Sequence, residues 1–337
     1  MRKLMLVLAL AALGAGLLVG EGKVESTGAW KPTKPITVIV PWGAGGSTDQ
    51  VTRVAAGELE EALGQKVVIV NQPGASGSVG TKSVLDAAPD GYTWAAGAAA
   101  DLGGYKVLGL LDTTWDDWIL FLTVANVSVI SVNADAPYKD IPELFAALQK
   151  MGAQIPVATA GVSSAGHNAI ESVRKFIKFD YKHVTYDGGN PAVIATVAGE
   201  AVVTTQLAVE QADMIAGGKL RPLAVLDTKP LKLRDKVIPP ITNWLPEYKA
   251  APNYFGIWIR KDAPKNVVDT MGQVWDTKIA GSQKLAAYAQ ERGAVFNPSW
   301  GDEAKEAALP MLSMATWNYY DAGKAVMSPE VLKIPRF

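Results

Sequence analysis

The feature that most restricts this chain is a repeated handover from strand to helix through a turn of small residues. The β-branched run Ile36 to Val40 ends in Pro41-Trp42-Gly43-Ala44-Gly45-Gly46, and Ser47-Thr48-Asp49 then opens a helical pattern. The same order returns where Ile155 to Thr159 runs into Ala160-Gly161-Val162-Ser163-Ser164-Ala165-Gly166-His167. Short strands alternating with helical patterns specify an α/β protein with mostly parallel strands. Further strands are expected at 67–70, 93–96, 124–132, 183–185, 202–206, 223–226 and 254–259. Ser47 with Gln50 reads as a capping box, Asn190-Pro191 as a cap before a first-turn proline, and Gly64, Gly199 and Gly217 as helix stops. The run from Leu122 to Val132 is long for one strand, and Leu223 to Asp227 is comparable. A chain that crosses near 125 and returns near 227 builds two α/β lobes facing a cleft. The expected division is an export signal at 1–28, a first lobe at 29–125 and 228–337, and a second lobe at 126–227. The helical stretch 264–324 should wrap back on the first lobe.

Composition narrows the chemistry. The 337 residues are 49% apolar and 19% charged, with 32 Lys and Arg against 33 Asp and Glu, which excludes a disordered chain and a polycationic surface for nucleic acid. There is no cysteine, and His167 and His183 are the only histidines, so thiol catalysis and thiolate metal sites are excluded. No cofactor or metal is expected. Met1-Arg2-Lys3 followed by the uncharged run Leu4 to Val19 has the form of an export signal, which places the mature protein in the periplasm. An uncleaved membrane anchor is the alternative.

Both glycine-rich turns present backbone N–H groups at the positive end of a helix, a cradle for a carboxylate or phosphate that needs no charged side chain. The first fails the nucleotide patterns, because Thr48 stands where the last glycine of G-x-G-x-x-G belongs and no G-K-[ST] follows. The second fails the nucleophile elbow G-x-S-x-G, because Ala165 stands at its fifth position. One cradle on each lobe suggests a single ligand gripped from both sides. His167 is suited to a helix-start hydrogen bond or a ligand contact, and His183 to a structural place. Asn71 to Gly80 is a further turn, read as tight packing. Tyr186-Asp187-Gly188-Gly189-Asn190 is another, where Tyr186 either covers the cleft or is an ordinary half-buried tyrosine. An exported serine hydrolase using Ser163 or Ser164 is the competing reading, and a sensory protein that hands its ligand to a signalling partner is a third.

Pro41 to Gly46 with Asp49 and Arg53, Asn71-x-Pro-Gly-Ala-x-Gly77-x-x-Gly80, and Ala88-Pro-Asp-Gly-Tyr-Thr93 resemble, in order and spacing, the substrate-binding receptors of tripartite tricarboxylate transporters, the TctC or Bug family. The resemblance continues through Gly161 to His167, Tyr186 to Ala192 and Gly217 to Val225, and weakens after about Lys229. It implies a two-lobed periplasmic binding protein of the type II-like, Venus-flytrap plan, not an enzyme, which captures a small di- or tricarboxylate or aromatic acid. Such a receptor delivers its ligand to the integral-membrane subunits of the transporter, and is expected as a monomer. Carried over by position, the first carboxylate loop is Trp42, Gly43, Ala44, Gly45 and Gly46, and the second is Gly161, Val162, Ser163 and Ser164, with His167 nearby. Gly97, Ala98 and Ala99 face the ligand, and Tyr186 and Asp187 join the set. Asp49 either meets the ligand or stabilises its own helix. Departures in Tyr105 to Trp118, where Thr113-Thr-Trp-Asp-Asp-Trp118 replaces the usual lead into the crossing strand, and at Thr204-Thr205-Gln206 are expected to tune which ligand fits.

Overall fold

The computed structural model describes residues 28–336, so the expected export signal at 1–28 lies outside the described residues except for Gly28. The first sheet is begun by β1 (Ile36–Val40), α1 (Ser47–Leu63), β2 (Val67–Asn71), α2 (Ser78–Asp86), β3 (Thr93–Ala98), α3 (Ala99–Val107) and β4 (Trp118–Asn126). The chain then builds a second sheet with β5 (Val129–Asn133), α4 (Ile141–Met151), β6 (Pro156–Thr159), α5 (Ala165–Arg174), β7 (Lys182–Thr185), α6 (Gly189–Val197), β8 (Val203–Thr204), α7 (Ala208–Ala216) and β9 (Leu220–Val225). A hairpin of β10 (Leu231–Leu233) and β11 (Lys236–Ile238) follows. The chain closes with β12 (Asn253–Arg260), α8 (Lys265–Val274), α9 (Gln283–Arg292), β13 (Val295–Trp300) and α10 (Gly301–Asp321).

The first sheet has the order β13-β4-β12-β3-β1-β2 and the second β7-β6-β8-β5-β9. β1 lies parallel between β2 and β3, with Ile36 opposite Val67 and Thr37 opposite Thr93. Helices cover both its faces, which explains why Val38, Ile39 and Val40 are all buried rather than alternating. The second sheet has β6 parallel to β7 and β8, but β12 and β4 in the first sheet and β5 in the second join their neighbours antiparallel, so the strands are mixed rather than mostly parallel as expected, because the chain crosses between sheets and returns. Among the described residues, the molecule thus has two α/β lobes: one core gathers Val38, Leu59, Phe121 and Trp275 and is joined by Ala160, Leu207 and Val209 from across the cleft, the other gathers Ile130, Leu144, Val157 and Ile170.

The long run expected as one strand at 124–132 is two strands in different sheets, β4 and β5, split at Val127 and Ser128. The return to the first lobe comes at Asn253, later than the position expected near 227. Leu233 and Ile238 of the hairpin pack with Val129 and Val225, and Ile241 and Tyr248 pack with Ile130 and Leu223, so 228–250 adheres to the second lobe. Asn126 and Asn253, paired in register on neighbouring strands, mark the two crossings. Their buried side-chain amides have unsatisfied polar atoms. The C-terminal third is helical as expected, interrupted by β13. Its α10 lies on α3 of the first lobe and also touches α5 of the second.

Helix ends follow local chemistry. Gly64 ends α1 in the left-handed conformation at φ 67°, as a helix-stop glycine does. The capping box expected at Ser47 is not formed: Gly46 is the N-cap, and Gln50 instead reaches back with its side-chain amide to the Gly45 carbonyl at 2.6 Å. Likewise α6 is capped at Gly188, two residues before the expected Asn190.

Candidate functional site

The turn at 41–46 is held from below by Asp49. Its carboxylate accepts the Gly45 N–H at 2.9 Å, Arg53 Nε at 3.0 Å and the Asn71 amide at 3.0 Å. Burial acts to raise the Asp49 pKa, but these hydrogen bonds and the Arg53 charge outweigh it and leave the carboxyl below its ordinary value. Asp49 therefore shapes the loop and does not line the cavity between the lobes. Gly45 sits at φ 79°, and a Cβ there would lie 2.9 Å from the Asn190 side chain, so the turn requires glycine on both conformational and steric grounds.

The opposite lobe meets this turn directly. Gly43 donates its N–H to the Asp187 carbonyl at 2.7 Å. Ser47, the first residue of α1, donates its backbone N–H to Glu210 Oε1 at 2.9 Å, and Leu207 donates to Glu210 Oε2 at 3.3 Å. Glu210 lies in the first turn of α7, on the second lobe, so a carboxylate of the chain itself is seated on the first lobe's helix N-terminus. The fit is close, because a Cβ on Gly189 would lie 2.1 Å from the Glu210 carboxyl carbon.

The second turn is organised by Ser164, the N-cap of α5. Its Oγ accepts the His167 backbone N–H at 3.3 Å and donates to the Gly161 carbonyl at 2.9 Å. Ser163 is buried with an Oγ that has no partner. Neither hydroxyl meets a histidine ring. The His167 ring stacks on His183 with centroids 4.2 Å apart and turns Nδ1 to the Val162 carbonyl, while His183 Nε2 meets Thr159 Oγ1 at 2.6 Å. Burial lowers both histidine pKa values, that of His183 to about 4, with the neighbouring His167 adding to the effect. No base is oriented on either serine, so the constellation a hydrolase needs is absent among the described residues.

Residues of both turns line one small cavity of about 30 Å³ between the lobes. From the expected set, Trp42, Gly46, Ala98, Ser164 and Gln206 face it. Gln206 is 1% exposed, lies over Gly166 at the start of α5, and has a side-chain Nε2 without a partner. The remaining expected residues take other places. Gly43 and Asp187 bond to each other, and Ala44 and Gly45 complete the first turn. Gly97 packs on the Trp258 ring and Ala99 begins α3. Gly161 abuts Ser76 of the first lobe, Val162 is exposed, and Tyr186 hydrogen-bonds Glu200 at 3.3 Å. Thr204 and Thr205 hold backbone carbonyls of Ala158 and Gly166.

The sequence reading missed several cavity residues, chiefly Asp101 and Glu210, with Phe255 and Leu207 as the apolar wall. Burial pushes the Asp101 pKa up to about 8, against the lowering effect of the Trp42 indole and the Ala98 N–H. Burial also raises that of Glu210, opposed by its bonds from Ser47 and Leu207. The available signal was an acid in the first turn of each helix. Among the described residues, no group of three His, Asp or Glu side chains is placed to hold a metal, and no helix is long and apolar enough to cross a membrane.

Comparison with known proteins bears on this geometry. The family described as "Tripartite tricarboxylate transporter family receptor", TctC, matches residues 51–288. Protein BugT of Bordetella pertussis is 28% identical over 268 residues, covering 77% of this chain and 81% of BugT. Among solved structures, the periplasmic binding protein BugD superposes with a TM-score of 0.79 at 24% identity, over 87% of this chain and 99% of that one. An R. palustris protein solved with adipate superposes with a TM-score of 0.78 at 22% identity, over 87% of this chain and 98% of that one.

Proposed function

The chain belongs to the tripartite tricarboxylate transporter receptor family, and on that premise we propose that it is a periplasmic receptor that closes its two lobes on a small organic acid and delivers it to the membrane subunits of such a transporter. The observation that carries this reading is the cavity shared by the 41–46 turn of one lobe and the 160–165 turn of the other. The adipate held by the R. palustris relative of the same fold supports an acid as ligand.

Binding follows from the donors. A carboxylate brought out of water keeps its hydrogen bonds only if protein donors replace those of the solvent, and each charge-assisted bond is worth about 1.5–3 kcal/mol net. The N-terminus of α5 and the Gln206 amide supply such donors without a cationic clamp. A water-sized site needs roughly 10–15 Å³, so a cavity of 30 Å³ takes up an organic acid only when the lobes part. The crossings at 126–128 and 250–253 serve as the hinge. Closure is then held by Tyr319 of α10, whose hydroxyl donates to the Val162 carbonyl at 2.7 Å, and by the Arg292–Asp213 pair at 2.7 Å. One lobe spans 127–252 and the other the remainder of the mature chain.

The test is a thermal-shift screen of mono-, di- and tricarboxylates alongside sugars and metal ions. A ligand that binds only the folded protein stabilises it by RT ln(1 + [L]/Kd). Stabilisation by one or more acids supports the reading, and stabilisation by sugars or metals with none by any acid overturns it.

A further inference from the structure

A second small cavity, of about 20 Å³, lies where the chain crosses between the lobes. Asn126 and Asn253 line it from the first sheet, Ser128, Asn168 and Ser172 from the second lobe, and Met311 and Met314 from α10. Asn126 stands opposite Asn253 on antiparallel strands, and residues paired in this way project to the same face of a sheet. Both are buried, at 1% and 4% exposure. Three of their side-chain atoms, Asn126 Nδ2, Asn126 Oδ1 and Asn253 Oδ1, have no partner among the described residues. Folded proteins seldom leave buried polar atoms in that condition, because the desolvation they suffer is not repaid.

The walls decide what can satisfy these atoms. No aspartate, glutamate, lysine, arginine or histidine lines the cavity, so an ion of either sign would lose its hydration without gaining a counter-charge. An organic molecule needs far more room. A water needs roughly 10–15 Å³ and two to four polar partners. The cavity offers about 20 Å³ and, in the three unpartnered atoms, one donor and two acceptors. A water molecule matches that set in number and kind, since it has two hydrogens to donate and lone pairs to accept.

We propose that one buried water is bound at Asn126 and Asn253 and is an integral part of the crossing between the lobes. Residues of both lobes enclose the site, so it is complete only while the lobes are together. Its α5 wall carries Asn168, whose side-chain amide also holds the Ser163 carbonyl at 3.2 Å. The water therefore sits between the two crossing strands and the helix that bears the second glycine-rich turn. It belongs to the fold and is independent of what the cavity at the two turns binds.

A high-resolution crystal structure of the wild-type protein tests this directly. The expected result is a single well-ordered water within hydrogen-bond distance of the Asn126 side chain and Asn253 Oδ1. Two amides bonded to each other, or an ion in place of the water, would overturn it. Thermal melts of Asn126→Leu, Asn253→Leu and the double variant give a second measurement that does not depend on the crystal. Each single replacement leaves the other amide short of a partner and should lower the melting temperature. The double replacement removes both polar groups together, and apolar groups of similar shape tolerate such a site, so it should melt no lower than the worse of the two singles. Losses that simply add would show that the two amides share no water, and would also overturn the proposal. If a variant fails to fold, the wild-type structure decides, and if the crystal holds the lobes apart, the melts decide.

Discussion

The two glycine-rich turns look alike in sequence and differ in what their donors already hold. In the turn at 41–46, Gly43 is committed to Asp187, Gly45 to Asp49 and Ser47 to Glu210. Two of these three acceptors come from the opposite lobe, so this turn is a seam between the lobes. In the turn at 160–165, Ser164 is spent on its own helix, yet Ser163 Oγ and the neighbouring Gln206 amide remain unpartnered while buried. Buried donors of this kind carry a desolvation cost of about 1–3 kcal/mol each until an acceptor arrives. On the proposed reading, the contrast separates two tasks that a glycine-rich turn can perform: one would position the lobes and the other receive the ligand.

The contrast can be broken most strongly at Gly189. Gly189→Ala inserts a Cβ where the Glu210 carboxylate lies, and overpacking of this kind costs about 1–3 kcal/mol. We expect a lower melting temperature and a change in the emission of Trp42, which borders the same cavity. In a Glu210→Ala background the effect should vanish, and a double-mutant cycle measures that coupling. An unchanged cost in that background would show that Glu210 is not what Gly189 accommodates.

A smaller effect sharpens the second turn. Ser164→Ala removes the α5 N-cap and should cost about 1 kcal/mol in a urea melt. Ser163→Ala, one residue away, removes a hydroxyl with no partner and should leave the midpoint unchanged or raised. Equal losses for both would contradict the division of labour between them.

The smallest effect is on pH dependence. Burial holds the His183 pKa at about 4, below its ordinary 6.5. In the unfolded chain the ring takes up a proton as pH falls through 6.5, whereas in the folded protein it stays neutral until about 4. Its contribution is thus complete above pH 6.5 and is lost as pH falls through that window. His183→Phe keeps a ring for the His167 stack and should flatten the acid side of the stability profile over this range. A profile as steep as the wild type would assign the acid sensitivity to other groups.

The turns, their lobes and the α/β alternation could be read from the sequence because each is a local pattern: β-branched runs, small-residue turns and stop glycines. The meeting of Trp42, Gly46 and Ser164 at one cavity likewise followed from turns placed at strand ends, whereas Gln206 stood out only as a departure from the family pattern. Glu210 and Asp101 were not legible because an acid in a first helical turn is satisfied by its own helix, and nothing local tells that a second helix from the other lobe will converge on it. The split of 118–133 into two strands escaped for a related reason. Both halves are mostly apolar, and the break at Val127 and Ser128 carries neither glycine nor proline. The late return at Asn253 depended on the hairpin at 231–238 finding the second lobe's core, a tertiary choice that short apolar runs do not announce.

The most direct measurement is a crystal structure of the protein with an acid found in the thermal-shift screen. The account predicts the ligand between the lobes, with a carboxylate oxygen within hydrogen-bond distance of Gln206 Nε2 and the start of α5. A ligand bound outside this cavity, or one inside it that leaves Gln206 and the 160–165 turn untouched, would contradict it.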